Sequence, residues 1–479
     1  MTPLLPDDLA RLVPRLMARD QIPGVAVGVV DRGDLVFARG FGHRDAESHR
    51  PVTPDTLFPL GSCSKAFTAT AIALLADEGK IGLDAPVRTY LPDFSLQDPE
   101  ASATLTPRDL LTHRSGLPRH DLFWYEAPFS RDELYRRLRF LEPSGPPRAR
   151  FRYNSLMFVV AARIVETVSG QSWESFVQAR ILGPLNMRRT VLSPEAMEAD
   201  ADHATPHAIR EGRAQRIPML KGLDAIAPAG AVQSSVRDLG RWLGFHATRS
   251  PGLLTERLWR ELHRPQAEMP APDQPEVQHP CYALGWIHES YRGRTLLVHN
   301  GAIDGFTAHL GFVPGTGPGL ILLANRERAT AALTALAYSA YDRLLGLEPL
   351  DWEARLGETP EPLQADRGVA LDFPIEEVVG SYEHPAYGML TIRAETDRLL
   401  MQFRSLRVTL AYQGERRFLS LEEIVDSAPQ ISVQFSTPDP GESLNLLVSL
   451  NFEDGGDPVE VFTRRLSAVP DRTCADRVR

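Results

Sequence analysis

GSCSKAFTATAIALLADEG, residues 61–79, is the stretch that decides how this chain is read. From Ser64 onward it is rich in Ala and Leu and stops at Gly79, which predicts a helix ended by a glycine. Ser62 and Lys65 stand at its start, and residues three apart share a helix face. The lysine amine is therefore expected beside the serine hydroxyl. A serine hydroxyl is a weak nucleophile and needs a neighbouring base. Lysine can be that base if burial or another cation lowers its pKa, and the helix N-terminus favours developing negative charge. The plainer reading is a capping serine followed by a solvated lysine, so the pair needs support from the rest of the chain.

Composition gives the first support. Of 52 basic residues only Lys65, Lys80 and Lys221 are lysine; the other 49 are arginine. A chain that uses arginine for generic positive charge has kept lysine at a few places, and only lysine releases its proton near neutral pH. Asp77 precedes Lys80 at the same spacing and Pro218 precedes Lys221, so the Ser-x-x-Lys arrangement occurs once.

Two further motifs follow. Tyr153-Asn154-Ser155 lies between a Pro/Arg-rich stretch and an apolar helix expected over 155–169. A tyrosine there can relay a proton when nearby lysine charge depresses its pKa; the plainer reading is an aromatic anchor and a helix cap. His299-Asn300-Gly301 follows the strand TLLV, residues 295–298. A glycine at a strand edge lets a ligand approach the backbone, and the N–H beside it can serve an oxyanion. The plainer reading is an Asn-Gly turn.

The order and setting of these three motifs resemble the penicillin-recognising serine hydrolases, which carry a Ser-x-x-Lys motif with the serine as nucleophile. IPGVAVGVVDRGDLVFARGFGHRD (22–45), LTPRDLLTHRSGLP (105–118), APAGAVQSSVRDLGRWL (227–243), YALGW (282–286) and HNGAIDGF (299–306) also resemble segments of that family. The likeness covers roughly residues 7–345. It is nearest to the branch of class C-like β-lactamases, D-aminopeptidases and esterases. It implies that Ser62 is acylated, that Lys65 and Tyr153 share the roles of general base and acid, and that the N–H groups of Ser62 and Ala302 form the oxyanion hole. It sets His299 at the place of the family's third-motif lysine and Gly301 at its glycine.

Two departures matter. Ser155 occupies the place where the family usually has the asparagine that holds an acylamino carbonyl, with Asn154 one step earlier. His299 replaces a lysine that anchors a β-lactam carboxylate, and a largely neutral imidazole anchors it less well. Both favour esters, amides or peptides, D-residues included, over efficient β-lactam turnover. A protein that is acylated by β-lactams and turns over slowly is the first alternative. A non-enzymatic small-molecule binder is the second.

The pattern of elements predicts an α/β (α+β) catalytic domain over 1–345: an antiparallel sheet flanked by helices, with an all-helical subdomain. Pro349, Pro360, Pro362 and Pro374 mark a linker over 346–373. Eight short strands then follow, at 378–384, 387–394, 398–405, 407–412, 416–421, 430–436, 444–452 and 459–465. Their even spacing suggests a closed antiparallel barrel over 374–466, with a tail over 467–479. GSYEHPAYGMLTI (380–392) resembles the lipocalin-like barrels attached to some of these hydrolases, as a lid over the site or as a stability module.

A net charge of -10 argues against nucleic acid and anionic membranes as partners. No apolar run reaches the length of a membrane span, and the first twenty residues lack the pattern of a secretory signal, so a cytoplasmic location is expected. Cys63, Cys281 and Cys474 show no paired spacing for disulfides or zinc. His203 and His207 are four apart but want a third ligand, so they are read as loop histidines, and neither metal nor cofactor is expected. Cys63 beside the nucleophile lacks a partner histidine. His113 is read as organising its loop, and Trp124 and Tyr125 as lining a pocket or merely packing.

Overall fold

GVAVGVVD, Gly24–Asp31 (β1), is apolar at nearly every position and buried along its length. That is the mark of a strand covered on both faces. The computed structural model describes residues 5–356, 371–395, 398–421, 431–436, 444–450 and 460–464. These fall into two compact units, one up to residue 356 and one from residue 371.

In the first unit β1 sits in a nine-stranded antiparallel sheet. The other strands are Asp34–Asp45 (β2), Arg50–Pro51 (β3), Ala267–Glu268 (β4), Val277–Tyr282 (β5), Ile287–Tyr291 (β6), Arg294–Ile303 (β7), Phe306–Phe312 (β8) and Gly319–Ala324 (β9). Their order is β3-β2-β1-β9-β8-β7-β6-β5-β4, so the N-terminal hairpin is stitched to the C-terminal strands by the β1–β9 pair, with Val27 opposite Leu322. Val25, Val27 and Val29 face one way, with Leu320 and Leu322, into a core closed by Leu5–Arg19 (α1) and a helix over Thr330–Leu344. On the opposite face the helix Val236–Thr248 packs on β1, close enough that a Cβ at Gly28 would lie 2.5 Å from Val236.

The helical part is built around Lys65–Asp77 (α2) and Leu156–Ser169 (α3), which pack together. Every residue of α2 up to Ala76 is buried. A helix apolar all round belongs inside a fold, and this burial governs the chemistry of Lys65.

Beyond residue 345, where a linker is expected, the chain forms a short helix at Trp352–Leu356. Trp352 is fully buried in the core of the first unit, and its indole N–H donates to Asp342 at 2.8 Å. Residues 357–370 of that expected linker and the expected tail over 467–479 lie outside the described residues.

The second unit is a closed antiparallel barrel of eight strands: Gly380–His384, Gly388–Glu395, Arg398–Phe403, Leu406–Gly414, Arg417–Ser420, Ile431–Phe435, Asn445–Leu450 and Glu460–Arg464. The last pairs with the first, Tyr382 opposite Arg464, and closes the ring. The alternation read from the sequence is present: Leu390, Ile392, Met401, Phe403, Val433 and Phe435 are buried. No described helix of the chain is long and apolar enough to cross a membrane.

Candidate active site

The Ser62–Lys65 motif folds one step differently from expectation. Gly61–Ser64 forms a single 3-10 turn, and α2 starts at Lys65. The half-buried Ser62 therefore lies on a tight turn ahead of the helix, not on the helix itself. The Lys65 Nζ still lies 3.1 Å from the Ser62 Oγ, and it donates to the Ala229 carbonyl at 3.2 Å. Lys65 is completely buried. Burial disfavours its charged form and pushes the amine down to about 7; the Arg119 guanidinium adds to this, while Asp121 and Cys63 oppose it.

Tyr153 lies against the same amine, with Nζ 4.8 Å from its ring centroid. The Arg119 Cζ stands 4.9 Å from that centroid. Burial raises the Tyr153 hydroxyl well above the ordinary phenol range, and a hydrogen bond with Ser62 and the Arg119 charge only partly offset this. This holds Tyr153 toward its neutral phenol form.

The opposite wall is the end of β7. A Cβ on Gly301 would fall 1.9 Å from the Leu60 carbonyl oxygen and 3.1 Å from the Ser62 nitrogen. A Cβ on Gly61, whose φ is +51°, would fall 2.7 Å from the Ala302 nitrogen. The strand and the nucleophile turn thus press backbone to backbone, which only glycine at these two places permits. The contact sets the backbone at Ser62 close beside the backbone at Ala302. His299, on the same strand, is buried. Its Nδ1–H donates to the Asn300 carbonyl at 2.6 Å, which leaves Nε2 to accept from the Tyr282 hydroxyl at 2.8 Å. Burial and the Lys65 charge push the imidazole down to about 3, so it is neutral with both nitrogens engaged.

Ser62 borders a cavity of about 50 Å³. Ser62, Ser155 and Ala302 line it, with Arg119, Asp121, Trp124, Ile226 and Asp304. Arg119 Nε donates to Asp121 at 2.9 Å, and the Trp124 indole donates to the other Asp121 oxygen at 2.9 Å.

The Ser62 turn, the buried Lys65 beside it and the glycine-bearing strand β7 are joined by a family match: the model described as Beta-lactamase matches residues 9–343. The chain belongs to the beta-lactamase family. It is a serine hydrolase of that fold. An unguisins hydrolase of Aspergillus campestris is 31% identical over 427 residues, 83% of this chain and 79% of that protein. Penicillin-binding protein 4 of Amycolatopsis lactamdurans is 29% identical over 347 residues, 69% of this chain and 88% of that one. The fold is similar to the octameric penicillin-binding protein homologue from Pyrococcus abyssi, with a TM-score of 0.66, 23% identity and coverage of 95% of this chain and 99% of that one.

Within this beta-lactamase family chain, the remaining motif residues sort by their contacts. Asn154, expected at the substrate, is buried and held by three hydrogen bonds. Its Nδ2 donates to the Pro118 carbonyl, its Oδ1 accepts the Met157 N–H at 3.0 Å at the start of α3, and its backbone N–H donates to His113 Nδ1 at 3.0 Å. Ser155, the next residue, is the one that reaches the cavity. His113 is buried among Tyr153, Phe158 and Tyr282 and organises the loop, as its motif suggested. The Cys63 thiol donates to the His299 carbonyl at 3.1 Å, and burial pushes it up to about 12, which makes it inert as a nucleophile. His203 and His207 turn to the carbonyls of Asp200 and Asn325. Among the described residues no group of three or more His, Cys, Asp or Glu could hold a metal ion. Cys474 lies outside them.

Sequence reasoning missed Arg119, Asp121 and Asp304. Arg119 and Asp121 directly follow the LTPRDLLTHRSGLP segment and Asp304 is inside HNGAIDGF, so the signal was a charged residue within or next to a family-like segment.

Proposed function

We propose that this serine hydrolase acts through a covalent acyl-enzyme on Ser62 and cleaves esters or amide and peptide bonds. The observation that carries the reading is the Lys65 Nζ, 3.1 Å from the Ser62 Oγ and held down to about 7 by burial. At neutral pH a large share of it is the free amine, a competent base. Lys65 takes the Ser62 proton as Oγ bonds to the acyl carbon. The oxyanion accepts the Ser62 and Ala302 N–H groups, donors fixed in advance of the charge they stabilise. As the bond to the leaving group breaks, the Tyr153 O–H supplies the proton that the departing oxygen or nitrogen needs, and the Lys65 ammonium restores it. Water then attacks the acyl carbon, with a proton passing back to Lys65, and Ser62 is regenerated.

The wiring around His299 supports esters and amides over β-lactams. Both of its nitrogens are engaged and the ring is neutral, so it offers no cation to a β-lactam carboxylate. Arg119 is committed to Asp121. Slow acylation by β-lactams is the second reading; it draws on the same Ser62–Lys65 pair and on the relative named as a penicillin-binding protein.

A rate panel tests this: p-nitrophenyl esters of several chain lengths, D- and L-aminoacyl amides, and nitrocefin, each with wild type and Ser62→Ala. Ester or amide turnover that exceeds nitrocefin turnover and vanishes in Ser62→Ala is the expected result. Unchanged hydrolysis in Ser62→Ala would sink the mechanism.

A further inference from the structure

Behind the end of β7 that faces Ser62 runs a chain of polar side chains with no part in the mechanism above. Asn300 stands between His299 and Gly301, and His309 on β8 is its cross-strand partner. The His309 Nδ1 lies 2.7 Å from the Asn300 Oδ1, and its Nε2 lies 3.1 Å from the Tyr341 hydroxyl. An amide oxygen only accepts, so Nδ1–H donates to Asn300 and Nε2 accepts from Tyr341. Burial pushes the imidazole down to about 4, which keeps it neutral and fixes that direction. Tyr341 comes from the helix over Thr330–Leu344 and is fully buried in the core between helix and sheet. It reaches His309 across Gly311, where a Cβ would fall 2.2 Å from the tyrosine hydroxyl oxygen.

We infer that His309 is a positioning residue for the hydrolysis: through Asn300 it braces the end of β7 from the helix side and holds the Ala302 N–H in place for the oxyanion. The inference rests on the acyl-enzyme reading above. Three observations support it. The other face of the same strand end bears on the Ser62 turn, where a Cβ on Gly301 would fall 1.9 Å from the Leu60 carbonyl oxygen. A strand pressed from one face keeps its place only if something resists on the other. The resistance is anchored deep, because Tyr341 sits in the core cluster with Val298, Leu322 and Leu336. Finally, burying polar groups is costly unless they are bonded, whereas a fully bonded buried network rigidifies what it touches. Both His309 nitrogens have partners, and the chain ends two residues before Ala302.

The test compares p-nitrophenyl acetate with its thionoester, in which sulfur replaces the carbonyl oxygen. Sulfur is a weak hydrogen-bond acceptor, so the ratio of the two rates reads the oxyanion donors, whereas a general loss of active protein lowers both rates alike. His309→Leu should lower kcat for the ester by on the order of tenfold, a fraction of what about 1 Å of misplacement can cost. KM should change little, as for an interaction made in the transition state. The thionoester rate should fall much less, so the ratio drops. His309→Asn, whose amide N–H can still donate to Asn300, should keep most of the wild-type ratio. Tyr341→Phe removes only a hydroxyl and carries the test if His309→Leu does not fold; its ratio should drop in the same sense. An unchanged ratio in folded His309→Leu, or in Tyr341→Phe where it stands in, would overturn the assignment while leaving Ser62 as nucleophile. So would a ratio in His309→Asn as low as in His309→Leu. Ester turnover that survives Ser62→Ala would instead overturn the acyl-enzyme reading itself.

Discussion

Replacing Arg119 with leucine should move the pH profile of the enzyme without touching a reacting atom. The Arg119 Cζ and the Lys65 Nζ lie 4.9 and 4.8 Å from the centroid of the same ring, that of Tyr153, so the two charges are at most about 10 Å apart. At that distance, with an effective dielectric constant of about 20, their repulsion is about 1.7 kcal/mol, worth about one pH unit on the lysine. Arg119 also pairs with Asp121, whose charge pulls the Lys65 pKa upward and would act unopposed once the guanidinium is gone. Both effects have the same sign. Activity needs the neutral amine, so kcat/KM for a p-nitrophenyl ester should rise with pH through an inflection near 7 in wild type. In Arg119→Leu the inflection should stand near 8, with a loss of about fivefold at pH 7 and near-equal rates above pH 9. The leucine keeps an apolar contact with the Tyr153 ring, and thermal unfolding of the variant controls for damage. An inflection that stays put, or moves to lower pH, would refute the electrostatic account of Lys65.

Two other outcomes follow from the same geometry. Lys65→Arg keeps a charge and rough size but cannot release its proton, so its kcat/KM should fall by about 10²–10⁴-fold, close to the loss in Lys65→Ala; near-normal rates would mean Lys65 acts only as a charge. Gly301→Ala places a Cβ 1.9 Å from the Leu60 carbonyl, so it should cost roughly 1–3 kcal/mol in thermal or denaturant unfolding and about 10²-fold in kcat through a displaced Ala302 amide; a variant with wild-type rate and stability would contradict the backbone contact.

The elements were legible where periodicity and punctuation were strong. The β1–β2 hairpin, the buried helix after Ser62 and the eight barrel strands all follow from apolar alternation or runs bounded by glycine and polar turns. Lys65 was legible because spacing and the scarcity of lysine agreed. The sense of the Tyr153 shift was not: a neighbouring cation lowers a phenol's pKa, but burial raises it more, and burial depends on residues distant in sequence such as His113 and Tyr282. The fate of His299 likewise depends on Tyr282, a partner two strands away across β6, and no local pattern marks a tyrosine as a histidine's donor. Asn154 and Ser155 are adjacent, and only the entry of the chain into α3 decides which of them caps and which faces the cavity. Prolines mark the segment after residue 345, and no local pattern there signals that Trp352 is buried and bonded back to Asp342.

The central claim is that Ser62, activated by Lys65, becomes acylated. Its most direct test is to incubate the protein with a fluorophosphonate or a slowly released ester, digest it, and locate the added mass. The account predicts one adduct, on Ser62, formed faster as pH rises through about 7 and missing from Ser62→Ala. An adduct on Cys63 or elsewhere, or turnover of the ester with Ser62 never modified, would contradict it.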